Sequence, residues 1–394
     1  MEKELDRLEL IVQQNELLKE QNELLNNLIN ELASELLYAK NQPLPRASTS
    51  GNSEREVFIK DIDRDEMRSG FLVTSHRKKL WNAQIGLVHE FARICKKYNL
   101  RWFAISGTLL GAARHKGFIP WDDDIDLAML RPDFEKFKRI APREIREPYF
   151  FDPWYNYKLE SEKDKFGSEE ENFQLVTLEQ EKNMAGWWPF WPIIKIRDSR
   201  TSMIQWAERQ HVNQGIWIDI FPYDAVPPFT NENQTINFNI AQELFLALVF
   251  PQRVKDAINA KADFTVSYES LIDFIDNFTY NQKALNVEEI LSEMFPGTRR
   301  LTEFRDFVLD RVNATYDIRD FAGVTYLPFE EIELPAPIGW ENILTARYGD
   351  WRKMIYTPPH VLNYSTDISS KNYFKALSSE LPIALNDKFT LPEE

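Results

Sequence analysis

The sequence predicts an α+β chain with an N-terminal coiled coil and a helical insertion, and three observations carry that prediction. Residues 1–40 contain neither Gly nor Pro and read as heptads. Between residues 75 and 130 a helical period gives way to short apolar runs, the alternation expected of helices packed on short strands. Residues 231–320 keep a mainly helical pattern, with Pro and Gly at its breaks.

In the N-terminal segment Leu8, Asn15, Asn22, Ile29 and Leu36 fall at a positions, and Ile11, Leu18, Leu25, Leu32 and Ala39 at d. Asn at two a positions with Leu at most d positions is the pattern of a parallel dimer, because buried amides pair only when the helices are in register. A second apolar line at Leu10, Leu17 and Leu24 leaves a trimer, a tetramer, a self-packed hairpin or a docked single helix open. We expect a homo-oligomer held by residues 1–40. Residues 41–56, rich in small polar residues with two Pro and a Gly, read as a linker, so the globular domain, 57–394, begins near Val57.

Leu80, Trp81, Leu87, Val88, Phe91, Ile94, Cys95 and Tyr98 recur at three- and four-residue intervals and predict an amphipathic helix over 75–100. Cys95 lies on its apolar face and reads as a core thiol. "RWFAIS" predicts a buried strand, 108–114 a helix, 124–129 a second strand, and "RPDFEKFKRI" a helix with Pro132 and Asp133 in its first turn. "WPIIKIRD" and "GIWIDIFPYD" read as strands separated by a helix, and "FEEIELPAP" as an edge strand before a helix through Tyr348.

The chain holds 47 Lys and Arg against 62 Asp and Glu, a formal net charge of −15, which disfavours nucleic acid as a partner. With Cys95 as its single cysteine, a disulfide framework and a Cys-based zinc site are excluded. The N-terminus lacks a signal peptide's basic and apolar regions, and the most apolar windows fall short of the ~20 residues a membrane helix needs. We therefore expect a cytoplasmic protein, with a place at the inner face of the membrane left open.

The chemistry gathers where Asp122, Asp123, Asp124 and Asp126 fall within five positions. Like charges this close repel, so the cluster calls for a cation. In a strand Asp124 and Asp126 project from one face while Ile125 and Leu127 point into the core. Two adjacent carboxylates suit Mg²⁺ (or Mn²⁺) shared with a phosphorylated ligand, and Asp219, the acid within apolar "IWIDIF", offers a third oxygen ligand. Some fifteen residues earlier Gly107 and Thr108 open a helix, whose N–H groups and positive dipole end favour a phosphate.

"ISGTLLGAARHKGFIPWDDDIDLAMLRPDFEKF" resembles the signature of the LicD family, the phosphocholine-transferase-like branch of the nucleotidyltransferase superfamily that also contains fukutin and fukutin-related protein. "KIRDSRT", "GIWIDIFPYDAVP" and "RYGDWRKMIYTPPH" are similar to its later motifs in the same order, so the resemblance covers about 75–228 and 325–362. It implies a nucleotidyltransferase-like small mixed sheet flanked by helices. Gly107 and Thr108 would form the phosphate turn, Asp124 and Asp126 the metal pair, Asp219 the third carboxylate, and Asp122 a further acid near the metal. Family members move a phospho-alcohol, such as phosphocholine or ribitol phosphate, from a CDP-activated donor to a sugar hydroxyl and release CMP. The sequence departs from the family in lacking a Cys-rich zinc insertion and in residues 231–320, which match none of its motifs.

A diphosphate donor beside an acidic cluster also needs protein cations, for which Arg114, His115, Lys116, Lys195 and Arg197 are candidates. Arg114 reads equally as a helix C-terminal charge, and His360 follows "TPP" where the family also has a His. "GWWPFWP", with Trp187, Trp188, Phe190 and Trp191, suits a sugar- or headgroup-facing platform or, alternatively, a domain seam. The expected enzyme is a CMP-releasing transferase using a CDP-alcohol and a sugar or glycan acceptor, lipid-linked or free, of a cell-surface, lipopolysaccharide or teichoic-acid-like precursor. The alternatives are a nucleotidyltransferase attaching NMP and a non-catalytic coiled-coil adaptor.

Overall fold

The computed structural model describes residues 57–153, 193–203, 213–229, 232–278, 282–309 and 315–356, and the backbone alone at 157–159, 174–176, 204, 280–281 and 363–365. The expected coiled coil and linker (1–56), the aromatic run at 187–191 and His360 lie outside the described residues. By its contacts the chain divides into Met1–Ser53 and Glu54–Glu394, and every described residue belongs to the second unit.

A short hairpin, β1 (Glu66–Arg68) and β2 (Phe71–Val73), leads into the long helix α1 (Ser75–Tyr98). Thr74 caps α1 by accepting the Arg77 N–H, and Asn99 ends it in the left-handed region at φ 55°. The predicted face is buried, Cys95 included, apart from half-buried Tyr98, and Trp81 stacks on Phe118 with centroids 4.5 Å apart. Next come β3 (Phe103–Ala104), α2 (Ser106–His115), β4 (Asp126–Leu130), α3 (Arg131–Glu144) and β5 (Tyr149–Pro153). Strand β4 starts at Asp126, so Asp124 lies just before the strand rather than in it.

A parallel pair, β6 (Tyr157–Leu159) and β7 (Gln174–Val176), precedes β8 (Ile194–Asp198), β9 (Ser202–Ile204) and β10 (Ile216–Ala225). The expected helix between the two main strands falls mostly on residues outside the described set, where the described part is β9. Strand β10 is the centre of a seven-stranded mixed sheet and is buried along its whole length. On one side it runs parallel to β4, which pairs antiparallel with β3. On the other, its first half pairs with β8 and then β5, and its end with β11 (Arg300–Thr302) and then β12 (Tyr316–Asp317). Because β4 and β10 are covered on both faces, they read as nearly continuous apolar runs in which each acid stands out.

Residues 231–320 are mainly helical, as expected: α4 (Glu232–Val249), α5 (Pro251–Asn259), α6 (Tyr268–Asn277) and α7 (Tyr280–Met294), then short α8 (Phe304–Val308) after β11. Their core continues from the end of β10, where Ala225 and Val226 pack with Phe238, Val287 and Leu291. "FEEIELPAP" does not join the main sheet. Instead β13 (Val324–Phe329) and β14 (Ile332–Pro337) form a separate hairpin, whose tip residue Glu330 donates its N–H to the Lys116 carbonyl (2.8 Å) and accepts the Phe118 N–H (3.1 Å). Helix α9 (Trp340–Tyr348) packs against α2, and β15 (Asn363–Ser365) pairs with β9. No helix among the described residues is long and apolar enough to cross a membrane. A mixed sheet with helices around it and a helical insertion agrees with the α+β class.

Candidate active site

Two local features build the site. Parallel pairing of β4 and β10 sets Asp126 directly opposite Asp219, and antiparallel pairing sets Lys195 opposite Asp219 on the other side. Side chains in register project to the same face, so three charged groups from three strands meet in one row. Ile125 and Leu127 are fully buried while Asp124 and Asp126 are half-buried, the alternation the sequence predicts.

Helix α2 supplies the second feature. The Thr108 hydroxyl accepts the Asp126 N–H at 2.8 Å, and the Ile105 N–H donates to the Asp126 carbonyl at 3.2 Å, so the start of β4 is tied to the start of α2. Ser106 takes the left-handed region at φ 49°, an uncommon backbone state for a residue other than Gly, Asn or Asp, at the turn from β3 into α2. A Cβ at Gly107 would lie 2.7 Å from Asp122 Oδ2, so glycine is needed for that carboxylate to rest on the helix's first turn. The Asp122 carbonyl accepts from Arg77 (2.8 Å) and Trp81 (3.0 Å), and the Asp123 carbonyl from Gln84 (2.7 Å), which holds the acidic loop onto α1.

The electrostatics are those of an acid excess. Burial first, then the charges of Asp126, Asp122, Asp123 and Asp219, hold Asp124 well above the ordinary carboxylate range. Asp126 is raised by burial and by Asp219, Asp122 and Glu303, with Arg347 opposing. Asp219 is differently placed: Lys195 meets its Oδ1 at 2.5 Å and Trp217 Nε1 donates to its Oδ2 at 2.9 Å. Burial pushes the Lys195 ammonium down against the pull of Asp219, and the ammonium also lies 4.5 Å from the Trp217 ring centroid.

The oxygens of Asp122, Asp123 and Asp124 approach within 4.8 Å of one another, the tight acid trio among the described residues. Asp126 and Asp219, paired across β4 and β10, are not part of that trio. An all-oxygen set in which Asp124 and Asp126 are raised fits a hard divalent cation, because such a cation would relieve the repulsion that burial strengthens.

The structure separates the other candidates. Arg114 ties α2 to the following chain, donating to the carbonyls of Trp351 (3.3 Å) and Lys353 (3.1 Å) and to His115 Nε2 (3.0 Å). His115 lies edge-on to Trp121, and burial together with Arg114 and Arg68 lowers it to about 4, so it is neutral at pH 7. Lys116 is the exposed left-handed cap of α2. Arg197 is buried, with Nε 2.5 Å from Asp152 Oδ2 and Nη1 on the Gly215 carbonyl, and it lies over Trp217. Thus Lys195 joins the acids, while Arg114 and Arg197 are held by protein oxygens. Two residues that sequence reasoning passed over, Glu303 and Arg347, act electrostatically on Asp126 from α8's N-cap and α9. The signal for Arg347 was its place in "RYGDW".

Residues 99–230 match the family model described as LicD/FKTN/FKRP, nucleotidyltransferase domain. The chain is 26% identical over 274 residues to the lipopolysaccharide cholinephosphotransferase LicD of Haemophilus influenzae, covering 68% of this chain and 89% of that protein. An uncharacterized Rickettsia typhi protein is 40% identical over 57 residues, 14% of this chain and 18% of its own length. An uncharacterized Caenorhabditis elegans protein is 35% identical over 85 residues, 20% and 22% of the two lengths. The matched segment contains β3, α2, β4, β8 and β10, the elements that carry Gly107, Thr108, the four clustered acids, Lys195 and Asp219, and over residues 99–230 the chain is similar to the LicD family.

Proposed function

We propose that the protein transfers a phospho-alcohol from a CDP-activated donor to a sugar hydroxyl of a glycan or lipopolysaccharide-type acceptor, with Mg²⁺ or Mn²⁺ held at the acid cluster. The observation that carries this reading is the registered pair Asp126 and Asp219, fastened through Thr108 to the first turn of α2. Phosphoryl transfer asks mainly for positioning and charge stabilisation, which a metal pair beside a helix N-terminus is suited to give.

In this reading Asp124, Asp126 and Asp219 hold the cation and Asp122 supports them from Gly107. The metal supplies neutralisation of the donor diphosphate and polarisation of the phosphoryl group. Lys195 orients Asp219, and Thr108 fixes Asp126. The N–H groups of the first turn of α2 face incoming phosphate oxygens. Choline phosphate as the transferred group is supported by the Haemophilus relative, whose name states that chemistry. The alternatives of NMP transfer and of a non-catalytic adaptor gain no observation of their own.

The test is CMP release from a panel of CDP-alcohols, CDP-choline and CDP-ribitol among them, with Mg²⁺ and with EDTA. We expect metal-dependent release that Asp126→Asn abolishes. Metal-independent release, or release unaffected by that substitution, removes the proposed centre.

A further inference from the structure

The acid trio sits on a segment that no strand holds: Asp122, Asp123 and Asp124 precede β4, which starts at Asp126. Helix α1 holds it instead. Arg77 Nη1 and Trp81 Nε1 donate to the Asp122 carbonyl (2.8 and 3.0 Å), and Gln84 Nε2 donates to the Asp123 carbonyl (2.7 Å). Positions 77, 81 and 84 are spaced i, i+4, i+7, so the three donors share one face of the helix over about 10 Å of its axis. Gln84 Nε2 also reaches the Trp217 carbonyl in β10 at 3.5 Å, and Trp217 Nε1 in turn donates to Asp219. One buried amide therefore spans the acidic loop and the strand that carries Asp219.

Two features set this face apart from ordinary packing. The bonds end on main-chain carbonyls, and so fix the course of the loop itself. In addition, Gln84 Oε1 is buried without a hydrogen-bond partner among the described residues. An unmet buried acceptor destabilises the fold, so the amide is better explained by the two carbonyls it grips than by stability alone.

We propose that Arg77, Trp81 and Gln84 are positioning residues that hold the acidic loop in its cation-binding form beside β10, and thereby set the affinity of the cluster for a divalent cation. Without a cation the carboxylates repel one another, and an unheld loop would open. A held loop spares the incoming ion the ordering of that backbone. This rests on the metal reading above and adds to it the helix that prepares the site.

Mn²⁺ binding to the full chain without donor, measured by the electron paramagnetic resonance of the free ion, tests it, with melting temperatures as the check on folding. Gln84→Met and Arg77→Met each remove a donor and should weaken Mn²⁺ binding roughly five- to thirtyfold, the equivalent of ordering one backbone residue. Arg77→Lys, which keeps a donor, should stay closer to wild type. The sign for Arg77 is diagnostic: on charge alone, losing a guanidinium beside an acidic loop tightens the binding of a cation. Ile94→Ala, a core truncation further along α1, should lower the melting temperature and leave Mn²⁺ affinity unchanged. Arg77 is only half-buried, so Arg77→Met carries the test should Gln84→Met fail to fold. If the folded Met variants bind Mn²⁺ as tightly as wild type or more tightly, or if Ile94→Ala weakens binding as much, α1 is a structural support and the metal reading stands without it. If wild type itself binds no Mn²⁺, the metal centre and this role for α1 fall together.

Discussion

The same two strands carry opposite solutions to buried charge at their two ends. Where β4 and β10 begin their pairing, Asp126 faces Asp219, with Asp122 and Asp124 close by and Lys195 bonded to Asp219. Where β4 ends, fully buried Arg131 forms a two-pronged pair with Asp224 (2.6 and 2.9 Å) and reaches Glu135 (2.9 Å) and Glu288 (3.3 Å), while Lys138 meets Glu288 at 2.7 Å. The second network joins α3, β10 and α7, and so fastens the helical insertion to the sheet. Its carboxylates sit against cations supplied by the chain, and its arginine is held further toward the charged form. At the first end Asp124 and Asp126 are raised toward the neutral form. The difference separates charge used to hold elements together from charge that waits for a cation and a phosphate.

Breaking the paired end should have the largest effect on stability. Arg131→Met leaves Asp224, Glu135 and Glu288 without their shared cation, and we expect a loss of about 3–5 kcal/mol in urea unfolding. At the acid end the signature reverses. Asp126→Asn should cost roughly 3 kcal/mol of transition-state stabilisation, about a hundredfold or more in CMP release, yet leave the metal-free melting temperature unchanged or higher. If the two substitutions destabilise the fold equally, the contrast between the two ends is wrong.

A smaller effect sharpens the same contrast. Gly107→Ala puts a Cβ against Asp122 Oδ2, and a carboxylate can rotate away at little cost to the fold. We expect a melting temperature close to wild type and activity reduced by roughly tenfold to a hundredfold, the scale of a misplacement near 1 Å. Activity near wild type would show that Asp122 does not need its seat on α2.

The smallest effect concerns His115. Its folded value of about 4 lies below the ordinary 6.5, so its neutral form contributes stability above pH 6.5 that is lost as pH falls toward 4. Allowing for its partial exposure, the contribution is about 1 kcal/mol. Melting temperatures between pH 7.5 and 4.5 should fall less steeply in His115→Gln than in wild type. Parallel curves would remove His115 from the account.

How much could be read from the sequence follows physical range. Period-two alternation around Asp126 and the isolated acid in "IWIDIF" are local patterns, so Asp126, Asp219 and their strands could be named before any coordinates. The strand boundary at Asp126 could not, because Asp124 has the same local alternation and pairing alone decides where a strand starts. Arg114 and Arg197 look like phosphate cations in sequence because nothing nearby reveals Asp152 or the carbonyl of Lys353. Glu303 and Arg347 act electrostatically on Asp126 from the N-cap of α8 and from α9, a coupling that no window around the acidic motif contains.

Asp219 and Asp224 stand on one strand, five residues apart, and so point to opposite sides of the sheet. A single register therefore serves both the reacting face and the joint that carries the helices. Substituting Ile220 or Phe221 alters packing alone, but inserting or deleting one residue between the two acids turns one of them to the wrong side, whichever end is held fixed. The strand can drift in composition and not in length. Length variation among descendants of this chain is thereby confined to the connections that enter and leave β10, where a residue more or less moves neither acid.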